Sequence, residues 1–202
     1  TEMLLGLMGV DERKSGEIVV DGKKLLRNSP VHARNIGIGL VVEDRKQKGI
    51  FPNLAVKSNM SIVSLKQLSK VNVINSRLEN EAVDKMISQI CIKTPGIMQS
   101  ISKLSGGNQQ KALLARWLMN EKLKVLIIDE PTRGIDVGAK AEIYSIMQAL
   151  AAQGLAILMV SSEMPEILGM CNRVYVMRGG RITAEIDGSE ATENKIMAES
   201  IS

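Results

Sequence analysis

Apolar residues recur along the chain with two periods. Met3, Leu4, Leu7 and Met8 fall at helical spacing with Gly9 behind them as a C-cap, so the pattern opens inside a helix. Residues 17–20 and 23–26 flank Asp21-Gly22, a strong short-range hairpin signal. Residues 36–42 read as a buried strand leading into the polar loop 43–49. From 53 to 93 the pattern is helical, clearest where Val83, Ile87 and Ile90 share one side. Gly106-Gly107 reads as a tight turn into a helix whose apolar face is Leu113, Leu114, Trp117 and Leu118. Residues 124–128 form an apolar strand ending at Asp129-Glu130-Pro131, followed by the loop 132–136. Ile143, Ile146, Met147 and Leu150 return to helical spacing, and 155–160 is a continuous apolar run ending at Ser161-Ser162-Glu163. A second hairpin is predicted over 173–177 and 181–186, and a last helix over 190–201. Strands alternating with helices predict an α/β fold on a mainly parallel sheet, whose ligands bind beyond the carboxyl ends of the strands. Asp129 and Ser161 stand at that edge.

Composition narrows this mainly by exclusion. The 202 residues suit one domain, or one with an insertion, and 45% hydrophobic with 24% charged residues is ordinary for a folded chain. Phe51, Trp117, Tyr144 and Tyr175 are too few for a base-stacking platform. The net charge of +4 therefore argues little for nucleic acid and fits a phosphate-facing or acidic membrane surface equally well. Cys91 and Cys171 lie far apart and in no metal-type spacing, which argues against zinc and for a reducing compartment rather than a disulfide framework. His32, the only histidine, has no nucleophile or ligand cluster beside it. The uncharged run 143–162 is interrupted by Gln148, Gln153 and Gly154 and changes period, so it reads as a helix followed by a buried strand, not a membrane span.

Two stretches carry chemistry. In Leu104 to Lys111 a turn feeds a helix N-terminus, where unpaired N–H groups and the positive dipole end favour an anion. Lys111 falls in the predicted first turn, where its charge opposes the dipole unless an anion faces it; a capped helix start with a solvated lysine fits the same eight residues. In Val125 to Glu130 an aliphatic strand ends in two carboxylates. One can hold Mg2+ through its water shell while the other orients or deprotonates a water attacking a phosphate, although many parallel strands end in Asp or Glu for loop capping alone.

LSGGNQQK at 104–111, VLIIDEPTRGIDVGAK at 125–140 and VSSEMPEI at 160–167 together resemble the ATP-binding-cassette ATPases, and among them the second, C-terminal cassette of bacterial importers for simple sugars such as ribose, galactose or xylose. The resemblance covers essentially the whole chain. It implies a P-loop-NTPase-like α/β core, N-terminally incomplete, over 1–52 and 116–202, with a helical subdomain over 53–115 that docks on transmembrane permease subunits. Ser105, Gly106, Gly107, Asn108 and Gln109 would be the signature loop that meets the terminal phosphate of ATP held by a partner cassette, on the same natural polypeptide. Asp129 and Glu43 would serve Mg2+, Glu130 would be the catalytic carboxylate, and Asp136 would lie in the loop crossing the interface. Ser162 would stand in the γ-phosphate-sensing position. A periplasmic sugar-binding protein would be an indirect partner, nucleic acid would not be one, and the place of work would be the cytoplasmic face of the inner membrane.

Three departures from the family pattern stand out. No Gly-x-x-x-x-Gly-Lys-Ser/Thr occurs; the nearest approach, 9–15, has Lys14-Ser15 but sets Asp11 and Glu12 where phosphates would sit. By resemblance the phosphate loop belongs before Thr1. Ser162 replaces a histidine and cannot become cationic, and Glu43 replaces a glutamine. These changes resemble the degenerate half of a tandem importer ATPase, so the isolated chain is expected to hydrolyse ATP poorly. A non-catalytic docking and dimerisation module, and a non-transport cassette ATPase, stay open beside that reading.

Overall fold

The computed structural model describes residues 2–11, 15–26 and 29–201. The Met3 side chain and the segment bearing Glu12 and Lys14 lie outside the described residues. Two units, Thr1–Val160 and Ser161–Ser202, each form their own body.

The first unit is built on a three-stranded parallel sheet in the order β3-β6-β7, with β3 at Ile38–Val41, β6 at Val125–Asp129 and β7 at Ala156–Val160. Register pairs Val41 with Ile128 and Asp129 with Val160. The central strand β6 has Leu126, Ile127 and Ile128 almost wholly buried, as a strand covered on both faces requires. Helix α1 (Glu2–Leu7) and the β1–β2 hairpin (Val19–Val20, Lys23–Lys24) close one side, where Leu4, Met8, Val20 and Leu25 join Ala33, Ile36, Ile38 and Ile127 in one apolar cluster. The Asp21-Gly22 hairpin is thus present, with both turn residues at positive φ.

Helix α2 (Pro30–Ile36) was not visible in the apolar pattern. Ser29 caps it, accepting from the His32 N–H, and Pro30 sits where a missing donor costs nothing. Its seven residues bury only Ala33 and Ile36, too few to set a period.

The stretch 53–93 is not helical throughout. Helix α3 (Val56–Ser61) and α4 (Ser76–Gln89) are separated by a small hairpin, β4 (Ser69–Lys70) and β5 (Val73–Ile74). Its turn residues Val71 and Asn72 both take left-handed φ, a conformation a β-branched valine does not advertise in sequence. Helix α5 (Gly106–Leu118) and α6 (Val137–Ala152) follow, and α6 stops before Gly154 and β7, so the uncharged run divides as expected. No helix among the described residues is long and apolar enough to cross a membrane.

In the second unit, α7 (Met164–Met170) precedes the antiparallel pair β8 (Arg173–Arg178) and β9 (Arg181–Asp187), and α8 (Glu193–Ile201) closes it. Val174, Val176 and Ile196 are its buried centre. The α/β architecture with a parallel sheet and small antiparallel hairpins is therefore the one expected.

Candidate functional site

Strand β6 delivers Asp129 at its carboxyl end, 5% exposed. Burial first, then the neighbouring Glu43 and Glu130 carboxylates, hold Asp129 above the ordinary carboxylate range, with Lys48 opposing. A divalent cation would relieve that repulsion. Among the described residues no group of three or more His, Cys, Asp or Glu forms a protein-only cage. One or two carboxylates completed by water and phosphate oxygens is the usual Mg2+ arrangement, so the residues present fit that ion.

Glu130 follows with φ at 49°, a left-handed backbone that costs a non-glycine residue about 1–2 kcal/mol. It is held there by its N–H donating to Val160 O at 2.8 Å, while Arg133 N–H donates back to Glu130 O at 3.3 Å. Strain sustained by surrounding bonds at a strand end is a common mark of a working residue. Glu43 lies 3.8 Å from Arg133 as an ion pair, so the loop after β3 faces the loop after β6.

The glycine pair is not a turn. Neither residue has positive φ; Ser105 is the N-cap of α5, and Gly106 and Gly107 are its first two helical residues. Close approach explains them instead. A Cβ on Gly107 would stand 2.5 Å from the Ala139 Cβ of α6, and one on Gly106 would stand 2.7 Å from Arg45 Nη2. Asn108 donates from Nδ2 to Ser105 Oγ at 2.9 Å and accepts the Lys93 N–H at 2.8 Å, which ties the loop to the segment behind α4. The exposed part of the loop is thus Ser105 with partly open Gly106 and Asn108; Ser105 Oγ accepts the Asn108 N–H at 3.5 Å, which leaves the Gly106 and Gly107 N–H groups as the helix-start donors without an intrahelical acceptor.

Gln109 and Lys111 face the other way. The Gln109 side chain is buried, donating to Ile101 O and Leu104 O at 3.2 and 3.1 Å. Lys111 is neither solvated nor aimed at an external anion: its Nζ donates to Cys91 O at 2.9 Å and to Glu142 Oε2 of α6 at 2.5 Å. The Lys111 hydrogen bond, then its charge, then Lys93, pull Glu142 below the usual carboxylate range. Asp136 caps α6 through Oδ1, accepting Ala139 N–H at 3.0 Å.

Arg45 was missed by the sequence reading and joins these pieces. A single π-type turn, Arg45–Gly49, follows β3, capped by Asp44 Oδ1 accepting the Lys46 and Gln47 N–H groups. The Arg45 guanidinium, 9% exposed, donates to Arg133 O at 2.7 Å, to Gly134 O at 2.9 Å and from Nε to Gln109 Oε1 at 3.4 Å. One side chain thereby bonds the Glu43 loop to the Asp136 loop and the α5 start. Its only sequence signal was a basic residue inside a polar loop, which surfaces carry everywhere.

Ser162 belongs to the second unit and is exposed. Beside it, Ser161 Oγ donates to Glu166 Oε2 and accepts the Glu163 N–H at 3.0 Å, fixing the start of α7.

Residues 1–133 match the family model described as ABC transporter. The chain is 46% identical over 198 residues to the arabinose import ATP-binding protein AraG of Rhizobium meliloti, covering 98% of this chain and 39% of that protein. It is 47% identical over 199 residues to the ribose import ATP-binding protein RbsA 1 of Rubrobacter xylanophilus, covering 98% and 40%. It therefore spans about two fifths of the relatives it matches. Among solved structures, a nucleotide-free ATP-binding cassette from an ABC transporter superposes with a TM-score of 0.77 at 20% identity, covering 97% of this chain and 79% of that one. A dimeric cassette in a post-hydrolysis state with ADP and phosphate gives 0.73 at 18%, covering 92% and 79%.

Proposed function

Because the chain belongs to the ABC transporter family, we propose that it is part of the second, C-terminal cassette of an importer for a simple sugar, and that it presents Ser105, Gly106, Gly107 and Asn108 to the terminal phosphate of ATP held by a partner cassette. The observation that carries this reading is the α5 start: an acid-free, partly exposed first turn, with Gln109 and, in the next turn, Lys111 both turned inward. The Gly106 and Gly107 N–H groups would be the phosphate-facing donors, fixed before any anion arrives, which is how preorganised dipoles assist phosphoryl transfer. Gln109 supports the loop from beneath. Asp129 with Glu43 would hold Mg2+, which supplies charge neutralisation on the phosphates, and Glu130 would position the attacking water. Asp136, as the cap of α6, orients the loop at the partner interface. Ser162 can donate one hydrogen bond to a phosphate but adds no positive charge, so this half hydrolyses ATP poorly by itself.

The helical segment 53–115 is the part that docks on the permease. Phe51 and Leu54 are 44% and 42% exposed beside a cavity of about 220 Å3 that Phe51, Arg116 and Trp117 line. Beneath them Asn59 and Arg116 form one network. Asn59 Nδ2 donates to Phe51 O at 3.0 Å, and Arg116 donates to Asn59 O and Gly49 O at 2.7 and 2.8 Å. Burial pushes the Arg116 guanidinium down to about 10. Closure of two cassettes over ATP would move this braced surface against the permease at the cytoplasmic face of the inner membrane, with a periplasmic binding protein delivering the sugar.

The test is Ser105→Asp in the assembled transporter. Aspartate caps a helix as well as serine does, yet sets a negative charge against a phosphate. ATP hydrolysis should collapse while subunit assembly persists; unchanged hydrolysis would leave only a docking role. Purified 1–202 should turn over ATP slowly, and brisk activity abolished by Glu130→Gln would overturn the dependence on a partner.

A further inference from the structure

Glu43, Arg45, Asp129 and Glu130 lie at or beyond the carboxyl ends of β3 and β6. At the amino ends of the same strands a second cavity, about 340 Å3, opens between the end of α2, residues 63–67 behind α3, and the connection from α5 to β6. Arg34, Lys66 and Lys122 stand on its wall. The Arg34 fork donates only to neutral acceptors, Val63 O at 3.3 Å and Asn35 Oδ1 at 3.4 Å. Among the described residues no carboxylate pairs with any of the three cations. Glu121, next to Lys122 in sequence, is exposed and does not line the cavity. Like charges converging on one concave surface repel one another, and an anion between them turns that repulsion into attraction.

An independent observation points to the same place. Ser64 lines this cavity, is 2% exposed, and its Oγ is the buried side-chain oxygen without a hydrogen-bond partner among the described residues. A buried hydroxyl left unbonded needs a reason, and an absent ligand is one. Asn120 holds the frame: its Nδ2 reaches Arg34 O at 3.5 Å and its Oδ1 accepts the Lys122 N–H at 3.3 Å, so α2 and the α5–β6 connection keep their spacing.

We infer that this cavity is a binding site for a phosphate-class oxyanion, with Arg34, Lys66 and Lys122 supplying charge and Ser64 Oγ a directed hydrogen bond. A guanidinium, two ammonium groups and a hydroxyl are cation and neutral donors suited to the several acceptor oxygens of a phosphate. The cavity adjoins the surface around Phe51, since Val63 lines both. The anion is therefore either a free phosphate compound or the headgroup of an anionic lipid, and neither uses the site at Asp129.

The experiment titrates inorganic phosphate into the full 202-residue chain by calorimetry, against chloride at equal ionic strength. In parallel, the chain is co-sedimented with phosphatidylglycerol and with phosphatidylcholine vesicles. Saturable binding of phosphate, or selective binding to phosphatidylglycerol, is expected and names the source. The double variant Lys66→Gln/Lys122→Gln, at two exposed positions, should weaken it about tenfold, and Ser64→Ala, which removes no bond the fold uses, about threefold. Lys48→Gln, at the other end of the strands, should change nothing. Absence of saturable binding to both probes, or equal binding by the double variant, overturns the site.

Discussion

Removing the Arg45 guanidinium tests whether the three loops are held as one piece. Its two short bonds, to Arg133 O and Gly134 O, are charge-assisted and would be worth roughly 3–6 kcal/mol together. The longer contact to Gln109 adds little. Burying the charge opposes this, as the lowered Arg45 pKa shows, so Arg45→Ala should destabilise the first unit by about 2–4 kcal/mol net. Trp117 is the only tryptophan and its Nε1 bonds Leu40 O at 2.8 Å, so urea unfolding followed by its fluorescence reports on that unit. The sharper test is a double-mutant cycle with Gly106→Ala. In the native background the new Cβ forces Nη2 away from Gly134 O and should cost about 1–2 kcal/mol. In the Arg45→Ala background the nearest remaining atom is Gly134 O at 3.3 Å, and the same substitution should be nearly neutral, helped by alanine's better helix propensity. A coupling of about 1 kcal/mol is expected; additivity within about 0.3 kcal/mol would refute the shared contact.

Gly107→Ala meets a rigid Cβ on α6 rather than a mobile fork, so it should cost about 2–3 kcal/mol, most of it recovered by Ala139→Gly when both variants are compared by urea midpoint. Asn59→Ala removes acceptor and donor from a wholly buried network and should lose about 2–4 kcal/mol, read from the same unfolding curves. Glu142 carries the pH prediction. Its folded pKa lies below 4.5, so the stability it contributes is complete above that pH and is lost as pH falls through the lower folded value. The melting temperature of the native chain should thus fall more steeply below pH 4.5 than that of Lys111→Met, in which only the smaller depression from Lys93 remains.

What sequence could reveal depended on whether a feature left a local pattern. β6 did, because a strand buried on both faces is a run of aliphatic residues, and so did the Asp21-Gly22 hairpin, because a positive-φ turn selects those residues. Helix α2 buries too few residues to show a period, and the β4–β5 turn uses Val71 at φ 50°, against its own preference. The carboxylates at 129 and 130 were legible as a strand end. Arg45 was not, since its partners lie 64 to 89 residues away and two of them are backbone carbonyls, which no side-chain pattern encodes.

The α5 start shows how the same letters admit two physical readings. A lysine near a helix N-terminus opposes the dipole, and from sequence the compensating anion could be external. The fold supplies it internally, as Glu142 on α6. The two glycines are likewise spent on packing, one against Arg45 and one against Ala139, not on a bend. The consequence is a separation of tasks along one turn. Side chains that bond inward fix the position of the loop, and the backbone donors of Gly106 and Gly107 are left without an intrahelical partner. Affinity for an anion at this surface should therefore follow the integrity of the Arg45 and Ala139 contacts more closely than the charge at 111. Lys111→Met should weaken the joint of α5 with α6 while leaving the donors at 106 and 107 in place, whereas Gly107→Ala should displace them without altering any charge.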